Sequence, residues 1–280
     1  MRNKKGRVIK ILYFLSIGLI IATSSSMPAS DKKENNINQP GHQSIGAPGV
    51  SAKKAEGAIP LMLSYRPPSR GRPANRVGGG TRGDKNNTPF LAALVPDHTG
   101  LTTQAKPLLY WFFSGAIKEE IEFTLIDERH IEPLLETNLD IPGREGIQCL
   151  SLTDYGINLS PSIPYQWFVA IISDPNHRSK DLVVCGSIKC IEPSQSLISK
   201  LSQSSRVEVP GIYAEEGLWY DALSTLNQLI AADPNDMGLQ KQRIDLFEQV
   251  GLWEVAEYER KGDQAAKDSV TDGQGLGEYR

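Results

Sequence analysis

The stretch GLWYDAL, residues 217–223, decides how the last part of this 280-residue chain folds. Its first three residues return in GLWEVAE at residues 251–257, 34 residues later, and Ala222 is matched there by Ala256. Apolar residues around both stretches recur about every 3.6 positions, which is typical of amphipathic helices. The chain beyond Pro193 is therefore predicted to form helices that repeat.

This repeat resembles the tetratricopeptide unit, which pairs two antiparallel helices in 34 residues and closes with proline. Tyr213 takes the aromatic position of the first helix, Ala222 the close-contact position and Pro234 the closing position. The chain holds about one and a half units, whereas a stack usually needs about three to bury its faces. The helices are therefore expected to dock on the rest of the protein, with Trp219 and Trp253 as packing residues.

Tetratricopeptide grooves bind peptides on the inner face of the first helix, so the resemblance implies candidate binding residues on that face. These residues are Lys241, Asp245 and Glu248. With so few units, the groove is expected to be shallow.

A different pattern covers residues 90–195, where seven short apolar runs are separated by turn-forming residues. The runs are FLAALVP (90–96), PLLYWFFS (107–114), EEIEFTLIDE (119–128), RHIEPLLE (129–136), GIQCLSL (146–152), YQWFVAIIS (165–173) and DLVVCGSIKCI (181–191). Short strands without helices between them predict an antiparallel, immunoglobulin-like β-sandwich of about seven strands. Trp111 and Trp167 are its expected core anchors. The predicted fold class is α+β, a sandwich followed by a tetratricopeptide-like helical hairpin.

The chain begins with features of an exported protein. Residues 1–10 carry five positive charges, and an apolar stretch follows at residues 11–22. This arrangement is typical of a secretory signal peptide, which directs a protein to the periplasm or the cell exterior. An uncleaved membrane anchor is the alternative. The predicted divisions are 1–26 signal peptide, 27–60 disordered linker, 61–89 basic Pro/Arg/Gly-rich segment, 90–195 β-sandwich domain, 196–262 tetratricopeptide-like tail and 263–280 disordered C-terminus.

Charge is divided unevenly between an N-terminal arm and the body of the chain. Residues 27–86 hold 10 Lys and Arg against 4 acids, whereas residues 87–280 hold 15 against 29. A basic arm can attach a protein to an anionic surface polymer, and a solvated linker kept extended by its charges is the alternative. Nucleic acid is not expected as a partner, since the arm has few aromatic residues for stacking. The candidate residues are Arg66, Arg70, Arg72, Arg76 and Arg82.

One loop gathers further candidate binding residues. SDPNHRSKD, residues 173–181, places Asp174, His177 and Arg178 between two predicted strands. Loops often carry function, although Asp-Pro-Asn is also ordinary turn chemistry.

The sequence predicts no metal site, no cofactor and no catalytic residue. Its four histidines are scattered, and HExxH, GxSxG and Walker motifs are missing from it. The alternating charges of ERHIE, residues 128–132, are typical of the wet face of an antiparallel strand. Cys149, Cys185 and Cys190 allow at most one internal disulfide, and buried free thiols in strands are the favoured interpretation.

The order of several motifs resembles a known family. The motifs are RPPSRGRPANRVGGGTRG, LAALVP, GLTTQAKPLLYWFF, FTLIDE, YQWFVAIISDPNHRS and AEEGLWYDAL. Over about residues 64–255 the chain is similar to domain-of-unknown-function family 928, a group of exported bacterial proteins. The resemblance implies secretion and the same two-part layout, and it supplies no activity or catalytic residues.

Together these patterns predict an exported, non-enzymatic envelope protein. Its expected partner is another protein or an anionic cell-surface polymer, and it would meet the membrane only through an uncleaved signal segment. The alternative is a hydrolase of wall or extracellular glycan, which paired acids in a cleft would favour.

Overall fold

The computed structural model describes residues 63–68, 89–127, 129–130, 132–139 and 144–272, with the backbone alone for 263–272. All of these residues belong to one unit of the chain. The predicted signal peptide, the linker and most of the basic segment lie outside the described residues, as does everything after Asp272.

The described part of the chain has eight strands in its middle region, and each of the seven apolar runs contributes to one of them. They are β1 (Leu91–Ala93), β2 (Gly100–Thr102), β3 (Leu108–Phe113), β4 (Glu120–Asp127), β5 (Leu135–Asn138), β6 (Gly146–Ser151), β7 (Pro164–Ile172) and β8 (Leu182–Cys190). Only the last two residues of the run RHIEPLLE belong to a strand, and they begin β5. The run starts in a turn, because the backbone N–H groups of Arg129 and His130 donate to the Asp127 carboxylate.

The strands form two open sheets, with the orders β1-β3-β6 and β2-β8-β7-β4-β5. Neighbouring strands are antiparallel except β2 and β8, which run parallel. The prediction of a wholly antiparallel arrangement is therefore wrong at this edge. Three residues are too few to show a periodic pattern, and packing fixes β2 instead. A Cβ at Gly100 would lie 2.7 Å from the Tyr220 ring.

Aromatic side chains form much of the core. Trp111 of β3 and Trp167 of β7 are fully buried, which confirms both as core anchors. Trp167 packs on Gly186 of the neighbouring strand, where a Cβ would come within 2.4 Å of the ring. Only glycine leaves room for the indole at this position.

Five helices follow the strands, so the described chain is α+β with two sheets and five helices. They are α1 (Gln195–Gln203), α2 (Val209–Glu215), α3 (Trp219–Ala232), α4 (Met237–Gln249) and α5 (Trp253–Asp272). Pro210 lies in the first turn of α2, where a missing N–H costs nothing. The backbone of α5 continues past Gly262, where the sequence predicted that the tail would end. One interior glycine weakens a helix by only about 1 kcal/mol and does not stop it.

The repeated Gly-Leu-Trp is a helix-ending turn. At the end of α2, Gly217 has φ +74° and donates its N–H to the carbonyl of Ala214 at 3.0 Å. The N–H of Leu218 reaches back to the carbonyl of Tyr213 at 2.9 Å. This pair of bonds is the Schellman motif, which needs the left-handed conformation that glycine adopts without strain.

The second copy ends α4 in the same way. Gly251 has φ +73°, and the N–H of Leu252 donates to the carbonyl of Phe247 at 2.9 Å. In each copy the tryptophan is the first residue of the following helix. The 34-residue repeat of sequence is therefore a repeat of backbone geometry.

Trp219 of α3 connects the helical region to the segment that directly follows β1. Its indole N–H donates to the carbonyl of Leu94 at 2.8 Å, and its ring is fully buried, which confirms its packing role. Trp253 is 61% exposed, so the predicted packing role is wrong for this residue. The ring of Tyr65 packs edge-on against Trp219 at 5.2 Å, whereas no further repeat of the described chain stacks on Trp253.

The three cysteines are free and lie in strands, as predicted, but the prediction that they are buried is wrong for Cys149. Cys190 is buried, Cys149 is exposed and Cys185 is intermediate. Burial raises the pKa of the Cys190 thiol, with a smaller contribution from Asp221.

Candidate binding cleft

A polar cleft of about 310 Å³ lies between the loop that follows β2 and one face of α3. We call it the Asp221 cleft, after the carboxylate on its wall. Polar side chains from the loop, from α2 and from α3 line it together with Asp221 and Thr225. These side chains are Thr102, Gln104, Lys106, Tyr213, Ser224 and Gln228.

Asp221 is buried, with 3% of its surface exposed, in the first turn of α3. Its carboxylate accepts the backbone N–H of Thr103 at 3.0 Å and the Thr103 hydroxyl at 2.7 Å. Burial raises the pKa of Asp221, and the hydrogen bonds from Thr103, Thr102 and Gln104 offset only part of this effect. The Asp221 side chain thus joins the loop after β2 to α3 through hydrogen bonds. Its pKa nevertheless stays above that of an exposed aspartate.

The wall behind Asp221 is held by a chain of buried hydrogen bonds. The Trp167 indole N–H donates to the Tyr220 hydroxyl at 3.0 Å, and this hydroxyl donates to the carbonyl of Ser187 at 3.1 Å. The bonds join α3 to β7 and β8. Groups with fixed partners on rigid elements keep their positions, which favours a preformed cleft.

The exposed side chains of the cleft can form hydrogen bonds with a hydroxyl-rich ligand. Gln104, Lys106 and Gln228 are exposed, and amide side chains both donate and accept hydrogen bonds. Tyr213 adds a half-buried ring from α2. Asp221 is the one carboxylate among the described lining residues, whereas glycoside hydrolysis commonly uses two, about 5–9.5 Å apart.

The residues predicted on α4 lie outside this cleft. Lys241 pairs with Asp245 at 2.6 Å, and Glu248 pairs with Arg260 of α5. These contacts join neighbouring turns or neighbouring helices, and exposed pairs of this kind contribute little to stability.

The candidate loop between β7 and β8 is a network of ion pairs. His177 Nδ1 lies 2.6 Å from the Asp174 carboxylate, and Arg178 binds Glu122 at 2.8 Å and also Asp181. The three predicted residues are thus close together, and their contacts hold the loop against β4. The structure does not place them in the Asp221 cleft.

Of the candidate arginines, the structure describes Arg66. Its side chain is exposed, and its backbone N–H donates to the carbonyl of Ala214 at 3.0 Å. Arg70, Arg72, Arg76 and Arg82 lie outside the described residues.

The alternating charges around His130 form a turn instead of a strand face. The Asp127 carboxylate forms hydrogen bonds with His130 Nδ1 at 2.8 Å and with an Arg129 guanidinium N–H at 3.1 Å. Glu128 lies outside the described residues. Burial raises the pKa of Asp127, but the hydrogen bonds from His130 and Arg129 outweigh it and lower the pKa to about 2. Within the described chain, no group of three or more His, Cys, Asp or Glu residues could hold a metal ion.

Sequence reasoning missed Asp221, although a signal was present in the quoted stretch. Asp221 stands between Tyr220 and Ala222, both of which are buried. Its counterpart one repeat later is Val255, which is fully buried. An acid at a position that the repeat uses for the core requires a specific partner, and that partner is Thr103, more than a hundred residues earlier in the chain.

The described chain is thus an α+β protein in which helices close a polar cleft over the edge of a sheet. Residues 77–260 match the family described as Domain of Unknown Function (DUF928), and the chain belongs to this family. The comparisons with curated proteins and with solved structures found no match. In the described part of the chain, no helix has both the length and the apolar character needed to cross a membrane.

Proposed function

We propose that the protein is an exported, non-enzymatic envelope protein that binds a cell-surface polymer or another protein. Export is supported by the charged and apolar pattern of residues 1–22. The two sheets are interpreted as an immunoglobulin-like sandwich, and α2 to α5 as tetratricopeptide-like pairs. The matching turns at Gly217 and Gly251 support the second interpretation.

The observation that carries the proposal is the convergence of amide and hydroxyl groups in the Asp221 cleft. Gln104 and Ser224 come from separate elements and line the same space with the Tyr213 ring. Saccharides offer hydroxyl groups on a flat apolar ring, which such a lining can bind. A glycan segment of a surface polymer is therefore the favoured ligand for the cleft. The single lining carboxylate gives the hydrolase alternative no support.

The test measures binding of two defined oligosaccharides, a neutral glucan and a uronic-acid-containing one, to the mature chain by calorimetry. Gln228→Ala removes an exposed amide from the cleft and should weaken saccharide binding by about 2- to 10-fold, the usual worth of one hydrogen bond. The matched control is Gln195→Ala, an exposed glutamine that begins α1 and does not line the cleft. Equal loss in both variants, or no binding of either saccharide, would contradict the proposal.

The basic arm supports a second, weaker attachment to an anionic polymer. Exposed charges are screened beyond about 8 Å at physiological ionic strength, so retention on an anionic matrix should fall steeply as salt is raised. Replacing Arg70, Arg72, Arg76 and Arg82 with glutamine removes four positive charges of the arm and keeps the buried Leu63 and Tyr65 in place. These substitutions should reduce the salt-sensitive retention, and unchanged retention would exclude the arm.

A further inference from the structure

A second pocket, of about 370 Å³, adjoins the Asp221 cleft, since Gln228 of α3 lines both. We call it the Arg243 pocket, after a charged residue on its wall. Its described lining comes from β3, β6, α3 and α4. The lining includes Tyr110, Ile147, Cys149, Ile230, Ala231 and Arg243.

The cleft and the pocket follow one another along the same face of α3. Asp221 and Ser224 line the cleft, and Ala231 lines the pocket. Together with Gln228, these residues recur at intervals of three or four positions, which places them on one side of the helix. From Asp221 to Ala231 the helix advances about 15 Å, at a rise of about 1.5 Å per residue.

Strand β3 also borders both spaces. Leu108 lines the cleft and Tyr110 lines the pocket, and alternate residues of a strand share a face. Burial raises the pKa of Tyr110, and its hydrogen bonding with Ser224, a residue of the cleft, lowers this pKa in part. The Tyr110 hydroxyl therefore lies where the cleft and the pocket meet.

The lining of the Arg243 pocket is more apolar than that of the cleft. Ile147, Ile230 and Ala231 contribute aliphatic groups, and Tyr110 adds a ring. Burial of a small apolar substituent of a ligand is therefore favoured here.

Among the described lining residues, Arg243 is the one charged side chain. It donates to the Asn227 side-chain oxygen at 3.0 Å and to the Glu259 carboxylate. These contacts use two of the five N–H donors of a guanidinium. Its Nε–H is buried without a partner in the described part of the chain. Since a buried donor without an acceptor is costly, an oxygen atom that reaches this guanidinium is favoured.

The pairing of Arg243 with Glu259 favours a neutral oxygen over a carboxylate. The two side chains are 16% and 14% exposed, so this ion pair is largely shielded from water. A ligand carboxylate would lie close to Glu259, and like charges repel strongly where screening by water is weak. A carbonyl oxygen accepts from the guanidinium without this repulsion.

An acetamido group combines the features that this lining favours. It has a carbonyl oxygen for the guanidinium, a methyl group for the aliphatic wall and one N–H donor. Gln228 donates through Nε2 to Ser224 at 3.4 Å, and its carbonyl oxygen can accept that N–H.

We infer that the Arg243 pocket is the subsite that takes the acetamido group of an N-acetylated sugar. The inference rests on the proposed function, because the glycan chain that carries this sugar would lie in the adjoining Asp221 cleft. The acetamido carbonyl oxygen would face Arg243, and its methyl group would pack on Ile230 and Ala231. The ligand class is therefore a glycan that contains N-acetylated amino sugars.

The experiment compares two matched tetrasaccharides by calorimetry with the mature chain. Cellotetraose and chitotetraose have the same backbone, and each sugar carries a hydroxyl in the first and an acetamido group in the second. Chitotetraose should bind at least about tenfold more tightly, since a buried methyl group and one hydrogen bond each add affinity.

Two substitutions test the pocket without altering the cleft. Arg243→Lys keeps the positive charge near Glu259 and removes the planar guanidinium, and Ala231→Leu fills the pocket from an exposed position. Each should bring the affinity for chitotetraose to within about twofold of that for cellotetraose, because the hydrogen bond or the apolar space is lost. The matched control is Ala232→Leu, at an exposed neighbouring alanine that does not line the pocket, and it should change neither affinity.

The exposed Cys149 thiol provides a second readout, because it lines the pocket. Chitotetraose should slow alkylation of Cys149 by N-ethylmaleimide, measured by mass spectrometry of the peptide that contains it. Cys185 does not line the pocket, and its alkylation rate should stay unchanged as an internal reference.

Three results would overturn the inference. Equal affinity for the two tetrasaccharides, with cellotetraose binding still weakened by Gln228→Ala, would remove the subsite and leave the proposed function standing. Binding of neither tetrasaccharide would remove both. A preference for chitotetraose that survives Arg243→Lys and Ala231→Leu would place recognition of the acetamido group elsewhere.

Discussion

Asp221 is the residue whose protonation the fold most clearly links to a functional position. Its pKa in the folded protein is raised above the ordinary value of 3.8, chiefly by burial. A folded state that holds a proton more tightly than the unfolded chain is favoured by that group at low pH. The contribution is complete below pH 3.8 and is lost as pH rises through the folded pKa.

Replacing Asp221 with asparagine tests this linkage. Asn removes the titration while keeping one oxygen to accept from Thr103. The free energy of unfolding of the wild-type protein, relative to Asp221→Asn, should therefore fall as pH rises from about 4 to 7. Urea denaturation of both proteins at several pH values measures this difference. A constant difference across the range would show that burial does not raise this pKa.

The two tryptophans of the repeat provide a matched pair for stability. Trp219 is fully buried and donates to the Leu94 carbonyl, whereas Trp253 is largely exposed. Trp219→Ala should cost about 3–5 kcal/mol of unfolding free energy, the range for a buried aromatic residue. Trp253→Ala should cost less than about 1 kcal/mol. Thermal or urea unfolding of both variants checks this, and equal losses would contradict the assignment of a packing role to Trp219 alone.

At the scale of elements, the turn after α2 serves two purposes. Gly217→Ala should lose roughly 1–2 kcal/mol because an L-residue at φ +74° is strained. The new methyl group would also press on the Arg66 carbonyl oxygen and loosen the segment of residues 63–68. Amide hydrogen exchange at Tyr65 and Arg66 should therefore become faster. Unchanged protection of these two amides would show that the packing of residues 63–68 does not depend on the turn.

Elements were predictable where local patterns were long enough to be read. The alternation in EEIEFTLIDE fixed β4, and the 3.6-residue period after Pro193 fixed the helical region, because each pattern reflects one buried face. β2 has three residues and is placed by contacts with distant parts of the chain. The cleft escaped prediction for the same reason, since Asp221 and Thr103 meet only in the folded protein.

The whole molecule is held together where α3 meets the sheet. Tyr220 of α3 accepts the Trp167 indole N–H and donates to Ser187 of β8, so strands and helices share one polar contact inside the core. Strands and helices are therefore expected to unfold together.

A double-mutant cycle with Trp167→Phe and Tyr220→Phe tests this coupling. Each change removes one partner of the same hydrogen bond, so their costs should not add. The coupling free energy should be about 0.5–1.5 kcal/mol, the net value of a hydrogen bond. Tryptophan fluorescence and far-ultraviolet circular dichroism should report the same unfolding midpoint. Additive costs would show that this hydrogen bond does not couple the two residues, and two separate midpoints would mean that the strands and helices unfold as independent units.

The parallel pairing of β2 with β8 has a consequence for the order of events during synthesis. Gly100 pairs with Ile188, 88 residues later, and α3 packs beside them only after that. Contacts between such distant residues form slowly, since a long loop must close first. A growing chain therefore carries β2 without its neighbour until β8 has been made. The rate of translation therefore sets the time during which this unpaired strand can aggregate with other chains. Slow synthesis between residues 103 and 190 would lengthen that time.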